Sequence, residues 1–176
     1  MITAEWNVEH KSCYLLDTLV SLYDHPHTLE EVLTRTDGLW EHIPSKDRIW
    51  VAMRVLERKQ LLEFLARICD RVNQTELAQL LRNPTSVYEQ FTVAASAIHI
   101  AGRGKHGQYA HAATAYYAAM AAHYITWIHS DSGRAADNAT WAANAAATHA
   151  TSITSNYTDD IEREQQIKDI LDIIKP

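Results

Sequence analysis

Between Gln90 and Ser130 the chain carries no Asp or Glu, although the whole protein holds 22 acidic against 16 basic residues. The same stretch contains Arg103, Lys105 and five histidines (His99, His106, His111, His123, His129). It also contains Phe91, Tyr109, Tyr116, Tyr117, Tyr124 and Trp127. The loop Gly102–Gly107 is short, glycine-rich and basic, and it leads into a helical pattern. Backbone N–H groups at such a helix start, with Arg and Lys beside them, make an anion site. Aromatic and imidazole rings can stack on a base. The combination points to a small, phosphate-bearing, base-containing ligand. Arg103 and Lys105 are the candidates to contact phosphate, and His106 beside them belongs to the candidate ligand-binding set. Tyr109, Tyr116 and His111, or alternatively Tyr117 and Trp127, are the residues that would frame the base.

The same residues have a plainer reading. Tyr109, Tyr116, Tyr117 and Tyr124 recur at i, i+7 and i, i+8, the spacing of one helix face packed into a core. Gly102 is also what a helix stop looks like. A histidine on an alanine-rich face is commonly a satisfied core or interface side chain. The functional reading rests on coincidence: missing carboxylates, a basic glycine loop and surplus polar aromatics in one stretch.

Catalytic constellations are not evident. The chain has no His-Glu-x-x-His, no Gly-x-Ser-x-Gly and no Walker loop. His106 and His111 are five apart, and His123 and His129 six apart, so neither pair has the i, i+4 spacing of two ligands on one helix face. No metal site and no cofactor is expected, and the protein reads as a non-enzyme. Cys13 and Cys69 are too few for a disulfide scaffold, and both fall in amphipathic sequence where a free Cys behaves as a small hydrophobe.

The elements that must position these residues read as helices throughout. Residues 1–84 show ordinary amphipathic patterning. Trp6 to Tyr23 reads as one helix, ended by His25-Pro26-His27. Thr28 with Glu31 reads as a capping box. Asp37-Gly38 breaks the next short helix, Ser45 is a candidate cap, and Leu61 to Val72 carries a 3.6-residue stripe. In residues 85–157 the composition shifts: 21 of the chain's 25 alanines lie between Ala94 and Ala150. Alanine is the best helix former and lets helix axes approach closely. Three helices are expected there, about 86–101, 108–129 and 134–154, with Asp131 or Ser132 capping the last. Residues 158–176 form an acidic-started helix that docks through Ile161, Ile167, Ile170, Leu171 and Ile174.

The expectation is therefore an all-α fold, a single multi-helix domain over 1–176. At 176 residues with five Gly and four Pro, turn-rich β architectures are disfavoured. A net charge of −6 argues against duplex nucleic acid as partner. No apolar run approaches a membrane span and no leader pattern opens the chain, so a cytoplasmic location is expected. The Asn-x-Thr triplets at Asn73, Asn138 and Asn156 are then chance matches.

The helix Leu61-Leu62-Glu63-Phe64-Leu65-Ala66-Arg67-Ile68-Cys69-Asp70-Arg71-Val72 resembles a segment of a family of alanine-rich helical proteins from bacteriophages and bacteria. The order of parts is similar too. Gly38-Leu39-Trp40 precedes that helix. Ala- and Trp-rich helices such as Ala139 to Ala146 follow, and Glu162-Arg163-Glu164-Gln165-Gln166 opens the tail. Ile68 stands where the family often has Cys, and the alanine zone here carries many more His and Tyr. Some members are labelled immunity proteins. The resemblance implies a setting of bacterial–phage conflict inside the host cell and transfers no catalytic residue. With the electropositive aromatic stretch, it leads to an expectation of non-enzymatic sequestration of a small anionic, nucleotide-like signalling molecule, with a homo-oligomer supplying the pocket. The alternative is an immunity-type protein that blocks a toxin or defence protein by direct contact. Its acidic surfaces would be Asp159–Glu164 and the group Asp24, Glu30, Glu31, Asp37, Glu41 and Asp47.

Overall fold

A computed structural model describes residues 1–12, 14, 16–83, 109–126, 132–153 and 159–175. Among the described residues the regular structure is helical, and the fold is all-α. The helices are α1 (Ala4–Glu9), α2 (Leu16–Leu22), α3 (Leu29–Thr34), a 3₁₀ turn (Gly38–His42), α4 (Ser45–Val55), α5 (Arg58–Arg71), α6 (Thr75–Arg82), α7 (Tyr109–Thr126), α8 (Ser132–Ile153) and α9 (Asp159–Ile174). No helix among the described residues is long and apolar enough to cross a membrane. The expected helix at 86–101 and the loop Gly102–Gly107 lie outside the described residues, as does Asp131.

Local chemistry sets most of the helix ends. Thr3 Oγ accepts from Trp6 N at 3.2 Å and starts α1. At α3 the capping box forms as expected: Glu31 N donates to Thr28 Oγ, and Thr28 N donates to Glu31 Oε2 at 2.7 Å. Ser45 does not cap α4. Pro44 occupies the cap position and Ser45 is the first helical residue, a place that needs no side-chain acceptor.

The single helix expected from Trp6 to Tyr23 is two helices. Lys11 adopts a left-handed backbone (φ 58°), Lys11 N donates to Val8 O, and Ser12 N donates to Asn7 O. These are the paired bonds of a Schellman ending, which normally uses Gly, so a Lys there hides the stop from a sequence reader. The same ending closes α5 with Asn73 (φ 58°), where Gln74 N reaches Cys69 O at 2.8 Å. The break after α1 lets the N-terminus fold back, and Ile2 and His27 exchange backbone bonds of 2.8 and 2.9 Å.

Two apolar clusters result. The larger holds α5, α6 and the alanine faces of α7 and α8, with Phe64, Leu65, Ile68 and Leu81 fully buried. The smaller gathers Ile2, Leu19, Leu22, Tyr23, Val32, Trp40 and Val51. Helix α4 serves both: Ile49, Ala52 and Met53 enter the first and Val51 the second.

Helix α9 does not dock as a simple apolar stripe. Ile170 is buried and Ile167, Leu171 and Ile174 pack at the edge, but Ile161 is exposed. Glu162, Arg163, Gln166 and Asp169 are buried instead, because they meet polar partners on α5 and α8. Gln166 Nε2 donates to Ala143 O at 3.0 Å, and Arg163 Nη1 donates to Asn144 Oδ1 at 2.9 Å.

Candidate functional site

The residues expected to hold a ligand divide into three groups. Arg103, Lys105, His106 and Trp127 lie outside the described residues. Tyr109 and His111 stand in the first turn of α7. Tyr116 and Tyr117 are half-buried and pack against the alanine core. Their rings meet edge to face at 5.2 Å, and Tyr117 also lies 5.3 Å from the ring of Trp141 on α8. Tyr124 contacts the His123 ring at 5.2 Å and sits under the Arg134 guanidinium at 5.8 Å. The described part of this aromatic face therefore packs ring against ring and against α8. His123 is buried, and that burial lowers its pKa below the ordinary imidazole value.

A cavity of about 260 Å³ opens elsewhere, in the smaller cluster between α1, α2, the 3₁₀ turn and α4. Tyr14, Tyr23, Trp40 and Trp50 supply aromatic walls, and Leu19, Leu22, Val32, Ile43 and Val51 complete the apolar lining. Asn7, Lys11, Ser12, Asp47 and Arg48 are its polar groups. Each arrives for a local reason. The Schellman ending of α1 turns Lys11 and Ser12 to the rim. Arg48 and Val51 are one helical turn apart on α4 and so share a face.

Arg48 is the electrostatic centre of this region. It is buried, and its guanidinium is held entirely by backbone carbonyls. Nε donates to Ile43 O at 3.3 Å, and Nη2 donates to Trp40 O at 2.5 Å. Nη1 donates to the carbonyls of Val32, Leu33 and Arg35 at 3.2, 3.5 and 2.6 Å. No carboxylate among the described residues pairs with it. Carbonyl dipoles satisfy the N–H groups but leave a net positive charge out of water. Burial accordingly pulls the Arg48 pKa down, with the hydroxyls of Tyr23 and Tyr14 acting the other way. Burial also raises the Tyr23 pKa, against opposing contributions from Asn7 and Arg48. Asp47 is engaged by Tyr14, whose hydroxyl donates to Oδ2 at 2.5 Å. At the outer edge the Arg54 guanidinium stacks 3.8 Å over Trp50 and pairs with Asp137 on α8.

Sequence reasoning missed this site. The available signal was an Arg at a position where α4 otherwise turns apolar residues inward, at Ile49, Val51, Ala52 and Met53. Two other expectations change. The acidic C-terminal surface is not wholly a surface: Glu162 is 3% exposed and accepts from Arg71 on α5. Reversing that charge breaks a buried pair rather than testing partner capture. Cys69 is fully buried and its thiol is pushed up to about 12 by desolvation, so it behaves as a core hydrophobe rather than a nucleophile. Cys13 lies outside the described residues.

No protein-family model, curated protein or solved structure matches this chain.

Proposed function

We propose that this protein is a non-enzymatic binding protein that sequesters a small anionic, nucleotide-like molecule, and that the cavity beside Arg48 receives it. The observation that carries this reading is a buried guanidinium that no carboxylate among the described residues pairs with, set among four aromatic walls. An anion entering the cavity offsets the uncompensated charge, and its interaction with Arg48 is strengthened by the low dielectric around it. The aromatic walls favour a flat ring. Small-molecule sites usually span ~300–1,000 Å³, so about 260 Å³ accommodates one ring system and its first acidic group. Larger phosphate chains would extend past Lys11 into solvent. The setting of bacterial–phage conflict rests on the resemblance of the Leu61–Val72 helix and the order of parts around it.

The test combines native mass spectrometry with tryptophan fluorescence, since Trp40 and Trp50 both line the cavity. The probes are nucleoside mono-, di- and triphosphates and cyclic mono- and dinucleotides. The expected result is one adduct per chain, released intact on denaturation, with quenching of the indole signal. Lys11→Gln should weaken binding about fivefold, the equivalent of one charge at ~4 Å in water. Asp47→Asn removes a negative charge from the lining and should tighten binding by a similar factor. The double variant Arg103→Ala, Lys105→Ala separates the two candidate positions. If it abolishes binding while Lys11→Gln and Asp47→Asn have no effect, the ligand sits at the Gly102–Gly107 loop and the cavity assignment fails. If no probe forms an adduct, sequestration is wrong and direct blocking of a protein partner becomes the reading to pursue by pull-down.

A further inference from the structure

At the turn between α2 and α3, Asp24, His25 and His27 bring a carboxylate and two imidazoles together, and we infer that this turn is a binding site for a borderline divalent cation such as Zn²⁺. Asp24 Oδ1 lies 2.7 Å from His25 Nδ1 and 3.7 Å from His27 Nε2. All three donor atoms lie within 4.8 Å of one another. Tetrahedral zinc with ~2.0–2.1 Å bonds to nitrogen and oxygen separates its ligand atoms by roughly 3.3 Å. The observed spacings of 2.7 and 3.7 Å bracket that value.

The independent observation is the state of His27. This residue is only 1% exposed, and its Nε2 is buried without a hydrogen-bond partner among the described residues. Leaving a buried ring nitrogen unpaired is destabilising, and the group it faces is Asp24. The ring is also held from other sides. Its backbone is locked to Ile2 by two hydrogen bonds. Tyr23 and Trp40 meet it edge to face, each at 5.5 Å. Glu31 Oε2 stands 3.9 Å from Nδ1, on the side where a carboxylate favours the tautomer that leaves Nε2 free to ligate. Pro26 fixes the backbone between the two histidines.

Two imidazoles and one carboxylate suit Zn²⁺, Co²⁺ or Ni²⁺ rather than the all-oxygen shells of Mg²⁺ or Ca²⁺. Asp24 and His25 have side chains 63% and 56% exposed, so a fourth position faces solvent and is available to water or to a small anion. The residues involved are not those that carry the charge argument at the cavity, and the two readings stand or fall separately.

The experiment uses the full chain without a polyhistidine tag, stripped with chelator and titrated with Zn²⁺ by calorimetry and with Co²⁺ by visible absorption. The expected result is one ion per chain and the d–d bands of a four-coordinate Co²⁺ site. His25→Ala and Asp24→Asn alter exposed side chains, so both should fold, and each should weaken binding by roughly tenfold or more. His27→Gln should abolish binding, with circular dichroism reporting whether that variant remains folded. Thermal denaturation supplies a second readout: Zn²⁺ should raise the Tm of the parent chain and not that of His25→Ala. Absence of binding in the parent chain overturns the assignment. So does binding that His25→Ala and Asp24→Asn leave unchanged, which would place the ion among other histidines.

Discussion

Arg48 is buried and Arg71 half-buried, and they are compensated differently. Arg71 has two carboxylates: its Nε and Nη2 donate to Glu162 Oε1 at 3.0 and 2.9 Å, and its Nη1 bonds to Asp169. Burial works to lower its pKa, and the two carboxylates outweigh it to leave the guanidinium more firmly charged than usual. Removing one partner from such a group strands the other charges. Arg71→Ala should therefore destabilise the fold by about 3 kcal/mol, read as a shift in the urea midpoint. Glu162→Gln should cost less, because an amide oxygen still accepts from Arg71. Arg48, by contrast, has only carbonyls among the described residues, and this missing counter-charge is what the proposed ligand site rests on. Both arginines sit in amphipathic helices where an Arg reads as solvent-facing. The partners that satisfy them were not legible in the sequence, because they come from other elements.

Among the elements, α1 shows most clearly how short-range chemistry places a site. It is only six residues long, too short to hold itself together by propagation. It depends on its two ends, Thr3 at the start and the left-handed Lys11 after the finish. Thr3→Ala should cost about 1 kcal/mol, seen in chemical denaturation, and should loosen the Asn7–Lys11 wall of the cavity. Glu5 in the first turn adds a pH dependence. Its own backbone amide and then the Thr3 side chain hold its carboxyl below the ordinary glutamate value, against an opposing effect of burial. A carboxyl lowered in the folded state stabilises the fold above its unfolded pKa, and that contribution is lost as pH falls through the lowered value. Glu5→Gln should therefore flatten the acid limb of the stability–pH profile below 4.5 and leave neutral pH nearly unchanged. The capping box at Thr28 and Glu31 was readable from spacing, since both partners lie within one turn. The stop at Lys11 was not, because the usual glycine marker is absent.

Across the whole molecule the organising contact is the α7–α8 pair. Ala115, Ala118, Ala119, Ala121 and Ala122 on one helix and Ala139, Ala142, Ala143 and Ala147 on the other are all fully buried. Side chains that small leave no slack at the interface. Ala139→Leu should destabilise by about 1–3 kcal/mol through overpacking, with near-ultraviolet circular dichroism checking that the helices still pack in one arrangement. The helical class, the alanine-rich pair and the acidic final helix follow from the amino-acid order alone. Propensity, apolar period and the composition shift act within one or two turns and need no tertiary partner to be read. The cavity could not be read that way, because its lining is drawn from Asn7 to Val51 and closes only when the break after α1 folds the chain back. Nor could the Asp24, His25 and His27 cluster, since the burial of His27 is imposed by Ile2, Tyr23 and Trp40 rather than by its own neighbours' polarity. The same holds for Arg71 and Glu162, which are 91 residues apart. Charged and polar groups carry no local mark of being buried. Which of them leaves water depends on the helices that pack over it.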